Sequence, residues 1–289
     1  MATSDQLLVV IDPVARHCDG ESVRIAKDVL SAGATAKVCL PEGPEEFARA
    51  LERRGARRPV VVGDDHALLR TVSLLHRRRE LAATGLSLVP VGGGLSLARS
   101  LGVPTGAVAA ARAVLDGVER RMDLLVDDSD GVVLGTLRIP SVPLVPLQRD
   151  GAADGREASP VGPWLRVRQS LARTLAARPA RPPHRPGPGS SRLRVEVDGV
   201  TLVDLDRPVE GVCVTPGDPG VAEVEVRPVS VGAEAAPLSA SGRRVTVSGA
   251  HFRYQADSVV SGPVRTRTWV VCEGAWGLTL PVTGGAAGP

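Results

Sequence analysis

Three places in this chain combine residue types that handle phosphate, metal ions or protons, and each lies where an apolar run stops. The first is Asp12–Pro13, after "LLVVI". The second is Gly63-Asp64-Asp65-His66, after "PVVV". The third is Gly92-Gly93-Gly94, after "LSLVPV". An apolar run that ends in glycine and leads into a helical pattern offers bare main chain and free helix N–H groups, which suit phosphate oxygens. The triple glycine fits that use best, although glycine also ends strands simply to turn the chain. Asp64, Asp65 and His66 add bulk and negative charge where a polyphosphate would need neither. Three readings stay open for them: caps for the helix beginning at "ALLRTV", ligands to a divalent cation such as Mg2+, or a catalytic acid or base.

Other reactive side chains are scattered. His17 and His76 fall in a loop and on a helix surface, His184 in a linker, and His251 beside Phe252 in a strand pattern. Ser96 follows the glycine cluster, but no nucleophile elbow or metal-binding histidine pair accompanies it. Cys18, Cys39, Cys213 and Cys272 have no metal-ligand spacing, and Cys39 and Cys272 sit in strand-like runs where cysteine packs as a small hydrophobe. The start, "MATSDQLLVVID", lacks the basic and cleavage features of a signal peptide, and no apolar run is long enough to span a bilayer. A cytoplasmic location is therefore expected.

The elements that must position these residues follow from periodicity. In the first 123 residues apolar runs ("QLLVVID", "TAKVCL", "RPVVVG", "LSLVPV") alternate with helical patterns ("GESVRIAKDVLSAG", "GPEEFARALERRG", "ALLRTVSLLHRRREL", "TGAVAAARAVLDG"). Such alternation predicts a parallel sheet with right-handed crossovers, a Rossmann-like α/β domain over residues 1–123. From 124 to 289 the pattern is β-rich, and from Arg192 it alternates with period two, predicting an antiparallel β-sandwich. Residues 142–191 interrupt it with an isolated helical pattern at Trp164 and a Pro/Gly-rich linker, a loop-rich insertion. Of 289 residues only 2% are aromatic, so Val, Leu and Ala must build the cores. The net charge of +3 is carried almost entirely by arginine, and clusters such as Arg77-Arg78-Arg79 suit solvated helix faces, which argues against nucleic acid as a partner.

The order of these parts resembles the diacylglycerol kinase catalytic-domain family, which includes bacterial lipid kinases and sphingosine kinases. "PVGGGLSLARSLGVP" keeps Pro90, Gly92, Gly94, Ala98, Arg99, Leu101, Gly102 and Pro104 in step with the family's Pro-x-Gly-Thr-Gly-Asn-Asp-x-Ala-Arg…Leu-Gly-x-Pro segment. Gly63-Asp64-Asp65-His66-Ala67 stands where the family has Gly-Gly-Asp-Gly-Thr, and "YQADSVVSGP" places Asp257 at its Asp-Gly-Glu turn. The resemblance implies an NAD kinase- and diacylglycerol kinase-like fold and ATP-dependent phosphorylation of a lipid hydroxyl, on diacylglycerol or a sphingoid base, with Mg2+ as cofactor and at most transient membrane contact. It puts Gly63, Asp65, Gly92, Gly93 and Gly94 at the nucleotide and makes Asp257 the base, with Asp198 in "VEVDGV" as a second candidate. The chain departs from the pattern at Asp64, His66 and Ala67, at Leu95 and Ser96 in place of Asn-Asp, and at Val259 in place of the glutamate. Asp64 would then be the metal ligand that replaces the carboxylate missing at position 96. Two other readings accompany this one: a noncatalytic descendant that binds lipid or nucleotide, and a related soluble kinase of the NAD kinase type.

Overall fold

The computed structural model describes residues 6–140, 190–217, 219–229 and 236–282. The expected Trp164 helix and the Pro-rich linker lie outside these residues. The first lobe runs β1 (Gln6–Ile11), α1 (Pro13–Cys18), α2 (Gly20–Gly33), β2 (Thr35–Cys39), α3 (Pro44–Glu52), β3 (Arg58–Gly63), α4 (Asp65–Arg77), β4 (Gly85–Pro90), α5 (Ser96–Ser100) and α6 (Ala107–Asp116). The four strands pair in parallel in the order β2-β1-β3-β4. Both faces of β1, β3 and β4 are covered, which is why those strands are continuous apolar runs, whereas the edge strand β2 is only partly buried. Leu7, Val9 and Ile11 pack with Ala26 and Leu30 of α2 and Ala110 and Val114 of α6. Leu8 and Val10 face the other way, toward Phe47 of α3 and Leu68 and Val72 of α4.

The chain leaves this lobe through β5 (Val118–Asp127). The second lobe holds β6 (Val132–Val133), β7 (Leu137–Ile139), β8 (Ser191–Val197), β9 (Val200–Val203), β10 (Pro208–Pro216), β11 (Ala222–Pro228), β12 (Leu238–Gly242), β13 (Arg244–Ala256) and β14 (Val259–Leu280). Its pairings are antiparallel, and alternate residues such as Val195, Val212, Val214, Val245 and Val247 build a separate core around Trp269. The architecture is thus mixed α/β with many antiparallel strands.

Strand β14 ties the lobes together. Its 22 residues begin in the hairpin with β13 and end parallel to β4, where Leu278 pairs with Leu86. Trp276, Leu278 and Leu280 belong to the core of the first lobe, although they follow residue 123 by more than a hundred positions. A bulge between Cys272 and Trp276, with Gly274 at φ +52°, lets one strand serve both cores. A second tie is lateral: His76 near the end of α4 hydrogen-bonds Asp130 at 2.8 Å, in the turn after β5. That turn is fixed by Asp127, which accepts N–H bonds from Ser129 and Gly131 and the Tyr254 hydroxyl. Burial opposes ionisation of Asp127, but those bonds outweigh it and hold its carboxyl below the usual range. No helix among the described residues is long and apolar enough to cross a membrane.

Candidate functional site

In an open parallel sheet of order 2-1-3-4 the strand order reverses between β1 and β3, and ligands favour the crevice at the carboxyl ends there. Here that crevice is occupied by the protein's own charges. Asp12, buried at the end of β1, caps α1 through Val14 N–H at 3.1 Å and accepts from the Arg70 guanidinium of α4 at 2.9 Å. Arg70 also lies over the Phe47 ring, 5.4 Å from its centre. Gly63 has a packing reason to be glycine: a Cβ there would come within 2.6 Å of the Ala67 Cβ and 3.1 Å of the Asp12 Cβ.

The two neighbouring carboxylates at the end of β3 have different tasks. Asp64 is the N-cap of α4 and accepts from Ala67 N–H at 3.1 Å, with its other oxygen 3.6 Å from His66 Nδ1. His66 is otherwise exposed. Asp65 is almost fully buried and turns toward the next strand end. One oxygen accepts from Ala98 N–H at 2.9 Å, and the other from Leu97 N–H at 2.8 Å and the Ser96 hydroxyl at 3.2 Å. A residue at the start of α4 thereby caps α5, 31 positions further on. Its own N–H bonds the Gly94 carbonyl at 2.9 Å, so the loop after β4 is anchored at both sides of Asp65.

That loop is open. Gly92 has φ +125°, a conformation that favours glycine, and a Cβ there would approach the Asp64 Cβ to 3.3 Å. At Gly93 and Gly94 a Cβ would meet nothing within 4 Å. None of the three N–H groups has a hydrogen bond among the described residues.

A cavity of about 500 Å³ opens immediately beyond, between α5 and the second lobe. Asp65, Ser96 and Ser100 line it from the first lobe, while the glycines themselves do not. From the second lobe come Thr136, Arg138, Gln255 and Asp257. Asp257 sits in the left-handed turn between β13 and β14, φ +52°, which aspartate tolerates better than most residues. Its carboxylate is cradled by three main-chain donors: Leu134 N–H on one oxygen, Gly135 and Thr136 N–H on the other, all at 2.8 Å. A side chain at Gly135 would crowd this cradle, because a Cβ would be 2.8 Å from the end of the Leu97 side chain and 3.0 Å from the Asp257 carboxylate. Burial pushes the Asp257 carboxyl above its ordinary value; the three N–H bonds pull it down without cancelling the rise, and the Asp65 charge adds to it.

The structure thus brings Asp257 and Asp65 to one cavity, places the glycine loop beside it, and leaves Asp64 at the helix cap. Asp198 is elsewhere. It accepts from Arg243 and Arg244 N–H at the start of β13, roughly 40 Å along that strand from Asp257. Sequence reasoning missed Arg138 and Thr136. Their only signal is alternation through "TLRI", which puts both on one strand face.

Solved structures share this fold. Two structures of a "putative diacylglycerol kinase" from Bacillus anthracis str. Sterne match with TM-scores of 0.68 and 0.69 at 11% and 12% identity. A third, of a diacylglycerol kinase from the same organism, matches at 0.66 and 11%. Each match covers 97% of this chain and 98% of the other. No protein-family model and no curated protein matches the sequence. The likeness is one of fold, it runs along nearly the whole chain, and it is the fold that the glycine-segment resemblance implied.

Proposed function

We propose that the chain is a lipid kinase of the diacylglycerol kinase type, which phosphorylates a hydroxyl group held in the inter-lobe cavity. The observation that carries this reading is the position of Asp257: half-buried, with a raised pKa, facing the cavity opposite α5 and next to an unobstructed glycine loop. A carboxylate offers about four lone-pair sites, and three are filled by main-chain N–H groups. The vacant site lies on the oxygen bonded only by Leu134. Asp257 there accepts the proton of the acceptor hydroxyl, and its raised pKa makes it a better base. ATP, when bound, supplies the γ-phosphoryl group; the acceptor oxygen forms the new O–P bond and ADP leaves.

The residues present suit the phosphates of ATP, since the N–H groups of Gly92, Gly93 and Gly94 have no hydrogen bond among the described residues and the space a side chain would fill at Gly93 and Gly94 is open. They do not suit a metal ion held by this chain. Among the described residues no group of three or more His, Cys, Asp or Glu could hold one. Both oxygens of Asp65 and one of Asp64 already accept N–H groups. No step is therefore assigned to Mg2+.

Those same spent carboxylates favour a second reading, in which the chain keeps the fold to bind a lipid without transfer. A labelled-phosphate assay with ATP and micelles of diacylglycerol or sphingoid base separates the two. Labelled lipid product, with a Tm raised by several degrees in saturating ATP, is the expected result. No transfer and no ATP-dependent Tm shift, with lipid still bound, would establish the second reading instead. Label appearing in NAD and not in lipid would change the acceptor class.

A further inference from the structure

We propose that Arg138 makes the cavity selective for acceptors whose hydroxyl lies beside a phosphate-type anion. Arg138 is the middle residue of β7, flanked by buried Leu137 and Ile139, so its own side chain, which is exposed to solvent, points to the opposite face and lines the cavity. The second-lobe wall follows that alternation: Thr136 and Arg138 on one strand side, Gln255 and Asp257 on the other. Across the ladder Arg138 faces Cys213 of β10 and Gln255 of β13, neither of which offers a counter-charge. It has no hydrogen bond or ion pair among the described residues, whereas the two cavity carboxylates are already bonded to main-chain N–H groups. Two further polar atoms of the same wall, Gln255 Oε1 and Ser258 Oγ, are buried without a partner.

The guanidinium is the one cation among the described cavity-lining residues and stands against two carboxylates, so an anion is held there by direct contact with its fork and not by the overall charge of the site. Its planar fork matches phosphate oxygens bidentately. Arg138 and Asp257 stand two ladder positions apart, about 7 Å along the strands. One small molecule can therefore place an anion on Arg138 and a hydroxyl on Asp257, as a hydroxylated phosphate ester does. A neutral diacylglycerol gains nothing from Arg138, and the amine of a sphingoid base meets like charge. The anion can belong to a lipid headgroup or to a soluble phosphate ester, and the same fork serves both.

This inference rests on the phosphotransferase reading for its turnover arm only. In that arm, kcat/KM is compared for 1-acylglycerol 3-phosphate, glycerol 3-phosphate and diacylglycerol, in wild type and Arg138→Gln. The expected result is a tenfold or greater preference of the wild type for a phosphate-bearing acceptor, lost in Arg138→Gln and partly restored in Arg138→Lys, with the loss on the phosphate-bearing acceptor at least tenfold larger than any change on diacylglycerol. The acylated or the free ester, whichever is faster, identifies the source of the anion. In the second arm, glycerol 3-phosphate binding is measured by calorimetry without nucleotide, and Arg138→Gln is expected to weaken it at least tenfold. Arg138-dependent binding with no turnover on any acceptor would overturn the kinase reading and leave the anion site standing. Robust turnover that ignores both the acceptor's phosphate and the Arg138 substitution would overturn the anion site and leave the kinase reading standing.

Discussion

Asp257→Asn is expected to slow phosphoryl transfer by two orders of magnitude or more while leaving a folded but weaker protein. The rate loss follows from the removal of the more accessible of the two cavity carboxylates, and general-base groups contribute roughly 10²–10⁴-fold. The weakening has a separate cause. Asparagine turns one oxygen into an NH2 group, which faces main-chain donors at Leu134 or at Gly135 and Thr136 and leaves at least one without an acceptor. That costs about 1–3 kcal/mol, visible as a lower urea midpoint. The pH profile tells the two effects apart. Wild-type kcat/KM should fall on the acid side as Asp257 protonates, with the midpoint above the ordinary carboxylate range, because burial raises its pKa. Asp257→Asn should have no such limb. A variant that keeps the limb and loses rate equally at every pH would show that Asp257 only holds the turn, and some other group is the base.

The route from sequence to this site was clear in part, and the division has physical causes. Strands β1, β3 and β4 and helices α2, α3, α4 and α6 answer to local signals: apolar runs for doubly covered strands, a 3.6-residue period for helices, glycine at the ends. The glycine segment and Asp257 were legible because a short ordered pattern carries them. Helix α1 is only six residues long, and its start signal, Asp12 at the N-cap and Pro13 at the first position, coincides with the signal that ends β1. Strand β14 carries "EGA" in its middle, where Gly274 makes a bulge and keeps one strand running from lobe to lobe. The remaining site chemistry was not local. Gly63 is glycine because two side chains from different segments close on it, and Arg138 matters because β7 sits between β10 and β13. Such facts exist only once strand order is fixed, and strand order depends on long-range packing that no window of sequence contains.

Asp65 gives the sharpest test of that nonlocal chemistry, because its neighbour supplies the control. Asp64→Ala removes one bond from a partly exposed helix N-cap and is expected to cost about 1 kcal/mol. Asp65→Ala removes a buried carboxylate that satisfies two main-chain N–H groups and a hydroxyl at the start of α5, so it is expected to cost roughly 3 kcal/mol or more. The difference should appear as a much larger fall in urea midpoint for Asp65→Ala. Faster amide exchange should be confined first to Leu97 and Ala98, since those amides lose their acceptor. Because α5 is the first-lobe wall of the cavity, the same substitution should weaken acceptor binding more than ATP binding. If instead Asp64→Ala proves the costlier change, and more so with Mg2+ present, then Asp64 is a metal ligand and not merely a helix cap. The geometry argues otherwise: the deeper acid bridges two strand ends, and the shallower one closes a single turn.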